Sequence, residues 1–189
     1  MGFSIETKRL ILRPWRDPDV DAFAAMGADV EVMRYFERLQ TPADAAAGVA
    51  RFQHAYAADG FCFWALELPG AADFIGFAGI SRVRFAAPFV PAVEIGWRLA
   101  RRFWGRGLAT EAARAALADG FGRCGLGEIV AFAVPDNGAS LGVMRKIGMV
   151  ADPAGDFDHP NVSPGHALRR HVLYRVRAPG RTVPSPAPR

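Results

Sequence analysis

The chain is short of lysine, of cysteine and of long apolar runs, and each shortage narrows what it can do. Only Lys8 and Lys146 stand among its 23 basic residues, and the arginines are scattered with no recognisable nucleic-acid module between them, so nucleic acid is not an expected partner. The net charge of +4 suits a site for an anionic ligand. The two cysteines, Cys62 and Cys124, lie 62 positions apart in apolar or helical surroundings and read as reduced core thiols rather than a disulfide framework or a metal site. The longest uncharged apolar stretch, Ala86 to Val93, is broken by Pro88 and Pro91 and falls far short of the roughly 20 residues that span a bilayer. No membrane span is expected. The N-terminal segment also has no apolar core or cleavage site of a secretion signal, which makes the cytoplasm the expected compartment.

What is present is one domain's worth of globular sequence, 189 residues with 51% hydrophobic and 22% charged side chains. Residues 1–177 read as a single α/β domain, and 178–189, with Pro179, Pro184, Pro186 and Pro188, as a tail that cannot pack. Thr7 to Pro14 reads as a first strand. Asp17-Pro18 and Thr41-Pro42 each combine an N-cap with proline at N1. They open a helical region with a second short helix near Val30 and a longer helix running to about Ala58. The period then shortens to two, and Phe61–Leu68 and Phe74–Arg84 read as a β-hairpin. In Ala92–Leu99 the alternation is clean, with Val93, Ile95, Trp97 and Leu99 on one face and Glu94, Gly96 and Arg98 on the other. A helix from Leu108 to Cys124, a strand Glu128–Val134, a short helix opened by Asp136–Ser140 and closing strands after Met149 complete a mixed sheet of about seven strands.

The stretch from Val93 to Gly120 carries the chemistry. Gly105 and Gly107 let backbone approach a ligand closely, and the first N–H groups of the next helix, backed by its dipole, form a receptor for phosphate. No Gly-Lys-Ser/Thr follows, which excludes a Walker loop, and Thr110 stands where a dinucleotide fingerprint needs its third Gly or Ala. A tight connection without a ligand, and a dinucleotide site, stay open at this point.

Arg102-x-x-Gly105-x-Gly107 resembles the pyrophosphate loop of the GNAT superfamily of acetyl-CoA-dependent N-acetyltransferases. Four further stretches look like its RimJ/RimL-like branch, which includes ribosomal-protein N-terminal acetyltransferases: Glu94–Leu99, Trp104–Ala112, Asn137-Gly-Ala-Ser140 with Val143–Met149, and Thr7–Trp15. Met149 replaces that branch's usual Phe. The resemblance spans about residues 7–176 and implies a sheet splayed between the Ala92–Leu99 and Glu128–Val134 strands, with acetyl-CoA in the gap. It carries pyrophosphate contacts onto Arg102, Gly105, Arg106, Gly107, Leu108 and Ala109, pantetheine contacts onto the backbone of Trp97, Arg98 and Leu99, and thioester-end positions onto Asn137 and Ser140.

Acetyl transfer also follows from the residues. An attacking amine must be neutral, and from reference pKa values the deprotonation costs at pH 7 about 4.6 kcal/mol for a lysine side chain but about 1 kcal/mol for an α-amine. Glu94 is the candidate base, directly or through water, the alternative being a surface or ion-paired carboxylate. By resemblance Ser140 is the donor to the leaving thiolate, with Tyr174 as an alternative, while helix capping is a second role for Asn137 and Ser140. His159, His166 and His171 have spacings that suit no compact metal-ligand pair, and the segment reads as a loop over the acceptor site. One or two of Trp15, Tyr35, Phe36, Trp64 and Phe85 are expected to wall that site. The expected partners are acetyl-CoA and an amine acceptor, a peptide N-terminus or a small molecule, with the chain a monomer or homodimer. A binder that senses acyl-CoA without turnover is the alternative.

Overall fold

The computed structural model describes residues 3–180. Nine strands and five α-helices follow one another as β1 (Ile5–Glu6), β2 (Ile11–Arg13), α1 (Asp19–Gly27), α2 (Val30–Met33), α3 (Pro42–Asp59), β3 (Phe63–Leu68), β4 (Ala72–Arg82), β5 (Val93–Leu99), α4 (Leu108–Gly122), β6 (Glu128–Ala133), α5 (Gly138–Lys146), β7 (Val150–Ala151), β8 (Phe157–Asp158) and β9 (Arg170–Arg177). The sheet runs β1-β2-β3-β4-β5-β6-β9-β7, with β8 also on β9. All neighbours are antiparallel except β5 and β6. The count exceeds the expected seven by β1 and β8, each of two residues.

The alternation read in β5 is the one observed, and it sorts the helices into two layers. Val93, Ile95 and Leu99 enter a core shared with Leu108, Ala112 and Ala116 of α4 and Met144 of α5. On the opposite face, Phe63 and Phe77 pack with Phe23 of α1, Phe52 and Val49 of α3, Val32 of α2, and Trp15. The caps of α3 fall where the sequence places them: Thr41 forms a reciprocal capping box with Asp44, and Gly60, at φ 76°, closes the helix. The expected Asp17 cap is not formed, because α1 begins at Asp19 with Pro18 itself at the N-cap and no side-chain cap bond.

Two boundaries need correction. Thr7–Pro14 is not one strand, because Thr7 Oγ1 and the Thr7 N–H both bond the Leu10 carbonyl and turn the chain, leaving strand only at Ile11–Arg13 with β1 folded back on it. The helix expected to reach Cys124 ends at Gly122, where the Cys124 N–H donates to the Asp119 carbonyl. At the other end, the Ala178 N–H donates to the Gly127 carbonyl at 3.0 Å, so the chain is still tied to the sheet one residue beyond β9. The expected tail lies, from residue 181 on, outside the described residues.

At the start of β2's exit, Arg13 is 3% exposed and every one of its guanidinium hydrogens has an acceptor. It meets Asp19 in a bidentate pair at 2.7 and 2.9 Å, Glu67 through Nε at 2.8 Å, and the carbonyls of Pro14 and Asp73. This pair staples α1 to the sheet, and nothing in the sequence pattern marks it. Removing one partner of a buried pair leaves an uncompensated charge. Asp19→Ala is therefore expected to cost about 3 kcal/mol, roughly 10 °C in Tm, measured by thermal or urea unfolding.

Candidate active site

β5 and β6 share a single paired position, Glu94 opposite Val130, whereas β4 and β5 pair from Gly76–Leu99 to Arg82–Val93 and β6 and β9 from Glu128–Arg177 to Ala133–Val172. Beyond Glu94 the two parallel strands part, as a splayed sheet requires. The opening is a cleft of about 460 Å³ that passes through the sheet. Trp97, Asn137, Ser140 and Met144 line it on the α4/α5 side, and Phe36, Phe63, Phe77, Glu94, Arg98 and Phe132 on the other.

At the C-terminal end of β5 the Trp104 indole N–H donates to the Leu99 carbonyl at 2.7 Å and seats the glycine loop. Gly105 and Gly107 take φ of 72° and 75°, conformations that L side chains rarely adopt. A Cβ at Gly105 would meet nothing within 4 Å, so backbone is what the loop presents there. Gly107 is the N-cap of α4, whose first intrahelical bond is Glu111 N–H to Gly107 C=O, and the Leu108 and Ala109 N–H groups head the helix free of intrahelical acceptors. Arg102 and Arg106 flank the loop with guanidinium groups 4.9 and 5.9 Å from the Phe103 ring. This is a cradle of N–H groups and cations for a polyphosphate.

Glu111, read from sequence only as a first-turn acid, has a second task. It accepts from Thr7 Oγ1 at 2.7 Å, the Arg9 N–H at 2.8 Å and Arg9 Nε at 2.6 Å, while Arg9 Nη1 donates to the Arg106 carbonyl at 2.9 Å. The N-terminal segment is thereby clamped to the phosphate loop. These bonds hold the Glu111 carboxyl below its ordinary range against the opposing pull of burial.

Inside the cleft the charges are sparsely partnered. Glu94 makes no hydrogen bond or ion pair with a described residue, and burial pushes its carboxyl up to about 8. Half-buried in the cleft wall, it is not ion-paired with any described residue. Arg98 lies with its guanidinium 4.0 Å from the Phe36 ring centroid and 5.4 Å from that of Phe77, and burial lowers its pKa to about 10. His159 and His171, seven and five residues either side of His166, come together with ring centroids 5.0 Å apart. Burial is the main cause that brings His159 down to about 4 and also lowers His171, so both are neutral near pH 7. The Asn161 N–H donates to His159 Nδ1, and His171 Nδ1 faces the Arg169 carbonyl, so the proton sits on Nε2 of His159 and on Nδ1 of His171.

Asn137 caps α5 by accepting from the Ser140 N–H at 3.1 Å, and both residues line the cleft, so capping and a place at the reacting end are compatible. Tyr174 packs on the α4/α5 core and is not among the cleft residues. Of the five aromatics singled out, Tyr35 and Phe36 line the cleft, Trp15 and Trp64 are core, and Phe85 stacks behind the wall, 4.5 Å from the His159 ring. Sequence reasoning missed Phe63, Phe77 and Phe132. The signal was there for Phe132: the parallel register with β5 and the alternation of β6 place it on the Glu94 face.

The model of the acetyltransferase (GNAT) domain matches residues 9–150. Among curated proteins, the chain is 35% identical over 144 residues to the uncharacterised protein YkkB of Bacillus subtilis (strain 168), covering 76% of this chain and 83% of that one. It is 30% identical over 146 residues to the uncharacterised N-acetyltransferase YoaA of the same organism, covering 76% and 81%. Among solved structures, a GNAT-family acetyltransferase from Bacillus anthracis superposes with a TM-score of 0.74 at 27% identity, covering 93% of this chain and 98% of that one. RimL, a ribosomal L7/L12 α-N-protein acetyltransferase in complex with coenzyme A, shares the fold at 16% identity and a TM-score of 0.73, over 93% and 98%. With its splayed strands, glycine cradle and matched domain, the chain belongs to the GNAT family and is an acetyl-CoA-dependent acetyltransferase.

Proposed function

We propose that the protein moves the acetyl group of acetyl-CoA directly to a primary amine, with both substrates bound at once, as a member of the RimJ/RimL-like branch. The single observation that carries this is a half-buried carboxyl, unpartnered among the described residues, at the one shared pairing of two splayed strands. Acetyl-CoA supplies an activated thioester. Arg102, Arg106 and the backbone N–H groups from Gly105 to Ala109 bind its pyrophosphate, and the β5 edge from Trp97 to Leu99 aligns the pantetheine arm. Glu94 takes the amine proton, directly or through a water. A pKa of about 8 lies close to that of the α-amine it serves, which is the match that general-base catalysis favours. Ser140 Oγ, beside the capped start of α5, hydrogen-bonds the departing thiolate. Ser140 needs to do little, since a thiol of pKa about 8.5 leaves readily. The free thiol of buried Cys62 suits the reducing cytoplasm, and the protein acts there as a monomer or homodimer.

Isothermal titration of acetyl-CoA tests the cradle. Micromolar binding by wild type and its loss in Gly107→Trp, where a large side chain is forced into a positive-φ position, are expected; no binding by folded wild type overturns the reading.

Glu94→Gln is expected to lower kcat by about 10²–10⁴-fold in a thiol-release assay and to remove the limb of the pH–rate profile that rises toward about pH 8. A variant that keeps acetyl-CoA binding and full turnover would show Glu94 to be dispensable.

The same carboxyl makes stability pH-dependent. Its ordinary value is 4.5 and its folded value about 8, so between these the native state holds a proton that the unfolded chain has lost. Wild type therefore loses stability as pH rises through this window, by up to about 1.4 kcal/mol per pH unit from this group. Thermal melts of Glu94→Gln across pH 5–8 are expected to show the flatter curve.

A further inference from the structure

Arg98 is a cation in the acceptor half of the cleft with nothing there to neutralise it. Its Nη1 donates to Gln40 Oε1 at 3.1 Å, and its buried Nε has no hydrogen-bond partner at all. The other arginine lining the cleft, Arg38, is held by Asp44 at 2.6 and 2.9 Å. Of the two acids in the wall, Glu37 is taken up by Ser163, and Glu94 stands four residues along β5, about 13 Å away at strand spacing, with no ion pair between them. Arg13 shows what the same fold does with a structural buried arginine: two carboxylates and two carbonyls surround it.

The geometry leaves one end of the Arg98 guanidinium to a ligand. Gln40 accepts from Nη1, Phe36 and Phe77 lie against the guanidinium and Nε is enclosed, which leaves Nη2 and the second hydrogen of Nη1. That is the end by which Arg13 grips Asp19 in a bidentate pair, at 2.7 and 2.9 Å. A planar acceptor of two parallel N–H bonds is a carboxylate. Gly96 lies between Glu94 and Arg98 on the same strand face, where a side chain would press on the Phe63 ring at 3.1 Å, so its missing side chain keeps the floor between the two charges clear. The segment carrying His159, Asn161 and Val162, which lines the cleft, is fastened by the Ser163 hydroxyl to Glu37.

We propose that the acceptor is a small amino acid, free rather than within a peptide, whose carboxylate is held by the Nη1–Nη2 end of Arg98 while its amine points along β5 toward Glu94. The inference rests on the acetyl-transfer reading and deepens it by naming the substrate class. The amine is acetylated at nitrogen, the thioester C–S bond breaks, the proton passes to Glu94 or its water, and coenzyme A leaves as the thiol. Atoms and electrons balance with no further reactant.

The test is a panel of matched acceptors with acetyl-CoA and full-length protein: α- and ω-amino acids, their primary amides, the corresponding decarboxylated amines, and short peptides. For the best acid-bearing acceptor, kcat/KM is expected to exceed that of its amide at least tenfold, and Arg98→Met is expected to erase that preference chiefly through KM. The amine-free acid of the same skeleton is expected to compete with the acceptor in wild type and to lose at least tenfold in affinity in Arg98→Met. Arg98→Lys, which keeps charge but not the fork, should fall between. Because half-buried Arg98 has no opposite charge among the described residues, Arg98→Met should melt at or above the wild-type temperature, an outcome that a structural arginine would not give. The proposal is overturned if acid and amide are equal, if peptides outrun free amino acids, or if no acid-bearing amine is acetylated by protein that binds acetyl-CoA. It is equally overturned if Arg98→Met loses acetyl-CoA affinity, since Arg98 would then serve the thioester. Failure of wild type to bind acetyl-CoA is read separately by titration and sinks the broader reading with it.

Discussion

One backbone pairing, Glu94 with Val130, is all that joins the two halves of the sheet. On one side lie five strands in sequential antiparallel order, on the other β6, β9 and their short edges. Joining them by a parallel crossover through α4 puts the glycine loop, the helix N-terminus and the parting strand edges at one end. Had the strands zipped further, the β5 edge would have been spent on β6 and the cleft closed. The core on the α4/α5 face, from Ile95 and Leu99 to Leu108, Ala112 and Met144, keeps the halves together where the hydrogen bonds do not.

The fold spends its buried charge in two different ways. At Arg13 it surrounds the cation completely, and the result is a staple. At Glu94 and Arg98 it half-buries ionisable groups without an opposite charge, Glu94 with no partner among the described residues and Arg98 with Gln40 alone, a state that costs stability. The desolvation that makes Glu94 a poor structural residue brings its proton affinity near that of an amine.

Much of the architecture was legible because it is written in local patterns. The period-two alternation of Val93–Leu99, the Thr41 N-cap and the glycine pair at 105 and 107 each act within a few residues, and each appears as read. The glycine loop and the start of α4 were legible for the same reason, being one contiguous strand–loop–helix. The acceptor half was not. Its walls come from α2 and the loop after it, β3, β4, β6 and the segment around His159, and no spacing in the sequence foretells that His159 and His171 meet or that Glu37 reaches Ser163. Thr7 to Pro14 misled because a β-branched run looks like a continuous strand, whereas the Thr7 hydroxyl bonds the Leu10 carbonyl and turns it. The Arg13–Asp19 pair escaped because a buried arginine looks, in one dimension, like any other.

The cleft's passage through the sheet has a kinetic meaning. Asn137, Ser140 and Met144 line one side and Phe36, Phe77 and His159 the other. On the proposed reading, two substrates entering from opposite sides would meet at the gap between β5 and β6 without blocking each other's path, and the order of product release would follow the two affinities.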